Sequence, residues 1–247
     1  MIELIDVKKR FKNQDKWITD GVSLFVPSGK CLCLIGMSGE GKSVLLKQIA
    51  GLIKPNSGSI VIDGVPITKF FDSDINELFG RCGYVFQFAA LLDSLTIYEN
   101  IALPLKERKK PSDEIRDIVV SSLDAVNLNI EILNKYPSEV SGGMRKRIGL
   151  ARTLVTNPKI ILYDEPTSGL DPINTEIIHE LMKKTHEKRN ITAIVVSHDV
   201  KIFDYVDLVA FLYRGKIEYI GDANNIWDCQ DSFVYQFIRG LSEGPIQ

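Results

Sequence analysis

The chain has 247 residues, 45% of them hydrophobic and 25% charged, with a formal net charge of −2, which fits one large α/β domain or two small ones with room for a full core. A charge so close to neutral gives no electrostatic footprint for a nucleic-acid partner. The longest apolar runs, such as residues 31–36 and 208–213, fall far short of the ~20 residues that a bilayer-spanning helix needs. The opening MIELIDVKKRF lacks the apolar centre of a signal peptide, so a cytosolic chain with at most a peripheral membrane role is expected.

Residues 2–7 and 22–26 alternate as half-buried strands do. Residues 30–35 form a continuous apolar run, the pattern of a strand covered on both faces. Within it Cys31 and Cys33 share one face; they read as small buried hydrophobes rather than a metal pair or a disulfide, and Cys82 and Cys229 have no partner by spacing. The spacing predicts a helix from about Ser43 to Ala50, ended by Gly51. SIVIDGVPI reads as a hairpin turning at Asp63-Gly64, and Tyr84 to Gln87 as a short strand.

Ser112 is placed to cap a helix opened by Asp113 and Glu114, with Ile115, Ile118, Val119, Leu123 and Val126 at helical spacing. From about residue 88 to 157 the segment reads as nearly all helical. Strand patterns return at 159–163, 191–196 and 208–213, with a polar-faced helix at roughly 174–189 on which His179 and His186 read as solvated. Near the end, Phe233, Val234, Phe237, Ile238 and Leu241 share one helical face, and Pro245 follows a glycine able to end that helix. Such a face must dock, ordinarily on its own domain, the alternative being a second copy. The organisation is a single domain, residues 1–247, in which a helical segment interrupts an α/β core.

Chemistry concentrates after the strands. GMSGEGKS, which is Gly36, Met37, Ser38, Gly39, Glu40, Gly41, Lys42 and Ser43, matches the phosphate-binding pattern G-x-x-x-x-G-K-[ST] between a strand and a helix. Its glycines let backbone amides face a polyphosphate, Lys42 can reach the β/γ-phosphates, and Ser43 can hold Mg²⁺. A point charge at ~4 Å is worth about 4 kcal/mol at an effective dielectric of 20, against up to roughly 2 kcal/mol for a helix dipole, so Lys42 outweighs any one glycine. Glu40 is an acid inside that loop and must point away from phosphate. IILYDEP delivers Asp164 and Glu165 from a buried strand: Asp164 can support Mg²⁺, and Glu165 can polarise an attacking water. Gln87 can sense Mg²⁺ or water, and His198 follows an apolar strand where ligands meet parallel sheets. VSGGM, with Ser141, Gly142 and Gly143 at a helix start, forms a second anion-binding mouth.

In this order the motifs resemble the ATP-binding subunit of an ABC transporter, over essentially all 247 residues. GMSGEGKS is similar to the Walker A loop, Gln87 to the Q-loop, VSGGM to the family signature, and ILYDE to the Walker B strand. SGLD, which ends at Asp171, is similar to the D-loop, and His198 to the switch histidine. The resemblance implies a P-loop NTPase with a RecA-like core, a small antiparallel β subdomain and a helical insertion. It implies ATP and Mg²⁺ as cofactors, Lys42, Gln87, Glu165 and His198 as catalytic residues, and Ser43, Gln87 and Asp164 at the metal. It further implies a head-to-tail pair of subunits, in which Ser141, Gly142 and Gly143 of one chain meet the γ-phosphate held by the other, on an integral-membrane permease. Met144 replaces the usual glutamine, which leaves the serine hydroxyl and glycine amides in place. Phe11 matches the adenine-stacking position, with Trp17 its competitor.

The signature SGGM together with FIRGLSEGPI is most similar to the ATPases of Mla/Mce-type systems that move phospholipids between membranes. That narrower likeness implies a lipid-binding Mce-type partner, a small regulatory subunit, and a place at the cytoplasmic face of the inner membrane. The same motor on another cargo, an amino acid or a lipoprotein, is the alternative. An ABC protein acting on DNA or the ribosome would carry two cassettes or a long coiled coil, and a binding-only cassette would have lost Glu165 or His198.

Overall fold

In the central strands, odd and even residues feed two different cores, and this alternation organises the molecule. The computed structural model describes residues 1–12, 15–67 and 81–246. An antiparallel sheet of β1 (Ile2–Lys9), β2 (Thr19–Val26), β4 (Ser57–Ile62) and β5 (Val65–Pro66) runs in the order β2-β1-β4-β5. A second sheet contains β3 (Cys31–Ile35), β6 (Cys82–Val85), β7 (Ile160–Asp164), β8 (Thr192–Val196), β9 (Leu208–Tyr213) and β10 (Lys216–Asp222), in the order β10-β9-β3-β8-β7-β6. All its pairs are parallel except β9 with β10. Cys31, Cys33, Ile35, Ile161, Tyr163, Val195 and Phe211 go to one core, under the helical layer. Leu32, Leu34, Ile160, Leu162, Ile194, Val196 and Leu212 go to the other, shared with the antiparallel sheet and α1 (Lys42–Ile49). Strands covered on both faces have no use for polar alternation, which is why β3, β7 and β8 read as solid apolar runs.

The hairpin expected at Asp63-Gly64 forms, with φ of 48° and 78° at the two positions, as a two-residue type I′ turn requires. The strand expected at Tyr84–Gln87 ends earlier, at Val85, leaving Gln87 in the following loop. β10 was not anticipated; it is an edge strand of alternating exposure after the Arg214-Gly215 turn.

The segment 88–157 holds three helices, α2 (Ile97–Glu107), α3 (Ser112–Asp124) and α4 (Gly142–Leu154), so it is less helical than expected. Between α3 and α4 the chain makes only short 3-10 turns at Ile130–Ile132 and Pro137–Glu139, after the left-handed Asn127. Ser112 does not cap α3: Pro111 takes the extended cap position, and Ser112 is the first helical residue. Thr96 and Glu99 close a full capping box on α2.

Helix α5 (Pro172–Arg189) corrects the reading of its histidines. His179 is fully buried, its ring centroid 5.1 Å from that of Tyr205. His186 is mostly buried, with Nε2 3.4 Å from Asp207 Oδ2. Charged neighbours in sequence hide a stripe of Ile178, Leu181 and Met182 that sets α5 on the sheet, and the turn at Val200–Tyr205 closes over it. Among the described residues neither ring nitrogen of His179 has a hydrogen-bond partner, and burial lowers its pKa.

The last helix, α6 (Ser232–Arg239), docks on its own chain. Val234 and Ile238 are buried, and Phe237 meets Phe211 edge-on at 5.3 Å. Gly240, at φ 62°, ends the helix one turn before the expected glycine, which leaves Leu241 exposed rather than on the buried face. Gln236 then ties the tail back, donating to Leu241 O and Ile246 O and accepting from Ile246 N. Among the described residues no helix is long and apolar enough to cross a membrane.

Candidate active site

The parallel strands end at one edge of the sheet, and their ends carry the predicted site. Leu34 of β3 and Asp164 of β7 both pair with Val196 of β8, so the three strand tips lie level. Gln87, the pair Asp164-Glu165, His198 and the Gly36–Ser43 loop therefore converge where open α/β sheets bind ligands.

The loop is shaped by contacts that exclude side chains. A Cβ on Gly36 would lie 2.2 Å from Leu212 O, and one on Gly41, at φ 92°, 2.5 Å from Ile18 Cγ2. Lys42 is 4% exposed. Its Nζ donates to Gly36 O and Met37 O, each at 2.7 Å. Burial lowers its pKa to about 8, against the opposing pull of Glu165, Glu40 and Asp164. Glu40 accepts from the Arg214 backbone N–H and so turns toward the β9–β10 turn.

The carboxylates are separately held. Asp164 accepts from Ser43 Oγ at 2.6 Å through one oxygen and from the Tyr84 hydroxyl at 2.8 Å through the other. Burial, with the charge of Asp164, raises the Tyr84 pKa, which keeps the phenol a donor. Glu165 sits at φ 47°, a left-handed position that costs on the order of 1 kcal/mol for a non-glycine residue. Its N–H donates to Val196 O at 3.0 Å. One carboxylate oxygen lies 2.8 Å from His198 Nε2, and the other accepts from Gln87 Nε2 at 2.9 Å. Gln87 also reaches Ser168 Oγ at 3.3 Å. A cavity of ≈ 330 Å³ lined by Glu165, Ser168, Thr175, Ser197, His198 and Asp199 opens beside the carboxylate, enough for several waters.

The second mouth lies apart. Ser141 caps α4, its Oγ accepting from Met144 N at 3.2 Å. A Cβ on Gly143 would stand 2.4 Å from Asn174 Oδ1. Asn174 donates through Nδ2 to Asp171 Oδ2 at 2.5 Å, and Asp171 caps α5 by accepting from Ile173 N and Asn174 N. The Asn174 amide holds the Asp171 carboxyl below the usual carboxylate range. Asp171 and the signature glycines are thus neighbours through Asn174. Among the described residues no hydrogen bond joins residues 141–143 to the Gly36–Ser43 loop.

Three contributors escaped sequence reasoning: Tyr84, Asn174 and Lys146. Lys146 Nζ donates to Gln87 O at 2.5 Å and to Glu165 O at 3.4 Å; in sequence it is the middle of the basic run Arg145-Lys146-Arg147 and nothing sets it apart. Phe11 is exposed, with Lys9 Nζ 5.3 Å from its ring centroid. Trp17 lines a cavity of ≈ 520 Å³ with Gly39, Glu40 and Gly215 beside the loop.

A family model described as ABC transporter matches residues 19–168. The chain is 40% identical to the probable ribonucleotide transport ATP-binding protein mkl of Mycobacterium leprae, over 99% of this chain and 70% of that protein. It is 38% identical to the intermembrane phospholipid transport system ATP-binding protein MlaF of Haemophilus influenzae, over 99% of this chain and 93% of that one. Among solved structures, a dimeric ATP-binding cassette in a post-hydrolysis state with ADP and Pi superimposes with a TM-score of 0.82 at 32% identity, covering 90% of this chain and 99% of the other.

Proposed function

The chain belongs to the ABC transporter family, and we propose that it is the ATP-hydrolysing motor of a transporter that moves phospholipid between membranes. The observation that carries the cargo is the likeness to MlaF, which spans 99% of this chain and 93% of that relative.

In this reading the Gly36–Ser43 loop wraps the polyphosphate of ATP, and Lys42 exchanges the carbonyls of Gly36 and Met37 for phosphate oxygens. Ser43 and Asp164, already joined at 2.6 Å, offer the hydroxyl and carboxylate oxygens that suit Mg²⁺, with Gln87 as the neutral neighbour. When bound, Mg²⁺ neutralises charge on the β- and γ-phosphates. Glu165 takes the proton of the attacking water, and His198 and Gln87, one on each carboxylate oxygen, aim it. Phe11 stacks on the adenine, with Trp17 as the ring to compare by alanine substitution.

The chain works as a homodimer in which Ser141, Gly142 and Gly143 of one copy close on the ATP of the other, with Asp171 beside them. ATP then joins the two subunits, hydrolysis parts them, and an integral-membrane permease takes up the motion. A lipid-binding Mce-type protein and a small regulatory subunit complete the assembly, and the motor sits peripherally at the cytoplasmic face of the inner membrane.

The test is to purify the full-length chain with the membrane proteins that accompany it and place the complex in phospholipid vesicles. ATP should drive loss of labelled phospholipid to acceptor vesicles, and Glu165→Gln should abolish it. ATP-driven movement of a ribonucleotide or an amino acid with lipid unmoved would replace the cargo and leave the motor intact.

A further inference from the structure

The signature mouth serves a partner's nucleotide, whereas Glu165 serves the chain's own, and one side chain bridges them. Lys146 stands five residues beyond Ser141 on α4, about 7.5 Å along the axis at 1.5 Å per residue. Its ammonium holds the carbonyls of Gln87 and Glu165 together. Further along the same helix Arg152 donates to Ala89 O and Ala90 O, both at 2.8 Å, and a Cβ on Gly149 would lie 3.1 Å from that of Ala89. Ala89 and Ala90 are left-handed, at φ 59° and 49°. Helix α4 therefore carries the Gln87–Ala90 loop with it, and among the described residues of α4 it is Lys146 that extends that grip to the Glu165 backbone. Glu165 is in turn bonded to Gln87 through its carboxylate.

We propose that Lys146 is a positioning residue that couples the two nucleotide sites of the dimer. When α4 of one chain engages its partner's ATP, Lys146 shifts Gln87 and Glu165 of its own chain into hydrolytic register. This rests on the composite-site reading given above. A lysine kept only to hold a loop would affect stability and turnover at every ATP concentration alike. A coupling lysine affects the shape of the concentration dependence.

The experiment measures phosphate release by the full-length chain against ATP concentration with Mg²⁺ present, alongside melting temperature and ATP affinity of the monomer. The wild-type curve should be sigmoidal, with a Hill coefficient approaching the ceiling of about 2 for two sites. Lys146→Met should bring the coefficient to about 1, the value for uncoupled sites, with monomer affinity unchanged. Lys146→Arg, which keeps donors at that reach, should restore the sigmoid. Should Lys146→Met melt below the assay temperature, Lys146→Gln, whose shorter chain cannot span both carbonyls, is read instead. A hyperbolic wild-type curve, or a Lys146→Met curve as sigmoidal as wild type, overturns the proposal. Mixed dimers of Lys42→Ala and Gly142→Arg chains separate the two levels. If the ATP they retain in a Glu165→Gln background does not depend on whether the two changes share a chain or lie on separate chains, the composite site itself fails; if it does and Lys146→Met stays sigmoidal, only the coupling role fails.

Discussion

The chain has two helix mouths to which the proposed function assigns phosphate, and they differ in what surrounds them. Around Gly36–Ser43 stand a buried lysine and two carboxylates, each already bonded to a named partner inside the chain. At Ser141–Gly143, among the described residues, no lysine is bonded into the mouth, and the neighbouring carboxylate of Asp171 has its oxygens taken by its own helix cap. The first mouth has the groups for binding, metal and water. The second offers a hydroxyl and amides, with the Arg145 guanidinium near Gly142, enough to recognise a phosphate. A helix N-terminus by itself is thus a recognition element, and the side chains delivered by neighbouring strand ends make it a catalytic one.

The sharpest break in that comparison removes the charge that only the first mouth has. Glu165→Gln keeps the contacts with Gln87 and His198 in shape but takes away the proposed general base, and steady-state phosphate release should fall by about 10²–10⁴-fold, with ATP binding retained. Release near the wild-type rate would remove Glu165 from the chemistry.

Next in size is a pair of alanines in the second mouth. On Gly143 the added methyl drives into Asn174, which holds Asp171; such overpacking costs about 1–3 kcal/mol, and the melting temperature should drop by about 2–4 °C for each kcal/mol. On Gly142 the nearest atom is the Arg145 guanidinium at 3.8 Å, so Gly142→Ala should melt like the wild type yet hydrolyse more slowly, because the space it fills is where the proposed dimer brings the partner's phosphate. Calorimetry beside phosphate release distinguishes them; wild-type turnover in Gly142→Ala would mean that nothing docks there.

The smallest effect is a pH dependence peculiar to the first mouth. Burial holds free Lys42 at about 8, and bound phosphate favours its charged form. Raising pH through about 8 therefore neutralises the free lysine first, so ATP binding should take up a proton and weaken between about pH 7 and pH 9. Titration calorimetry in buffers of different ionisation enthalpy reads that proton; no uptake at pH 8.5 would mean that burial does not hold the free lysine near 8.

Much of this was legible because the site rests on short local patterns. Apolar strands covered on both faces announced β3, β7 and β8, and the residues just beyond them, from Gly36 to Ser43, Asp164, Glu165 and His198, fell at one sheet edge. What stayed hidden depends on contacts distant in sequence. Tyr84 looks like any strand aromatic until Asp164, 80 residues away, meets its hydroxyl, and Lys146 reaches Gln87 across 59 residues. His179 misled in the other direction, since charged neighbours on α5 disguised a position fully buried against Tyr205. Ser112 missed its cap because Pro111, with its fixed φ, suits the turn into the helix better.

The central claim is that the second mouth acts on another chain's nucleotide, and counting ATP retained per dimer tests it most directly. In a Glu165→Gln background that holds ATP unhydrolysed, dimers are assembled with Lys42→Ala on one chain and Gly142→Arg on the other, or with both on one chain and neither on its partner. Shared sites predict one retained ATP when the changes are on separate chains, since both defects then fall in the same site, and none when they are together. One ATP with the changes together and none with them apart would mean that each chain completes its own site, and would contradict the account.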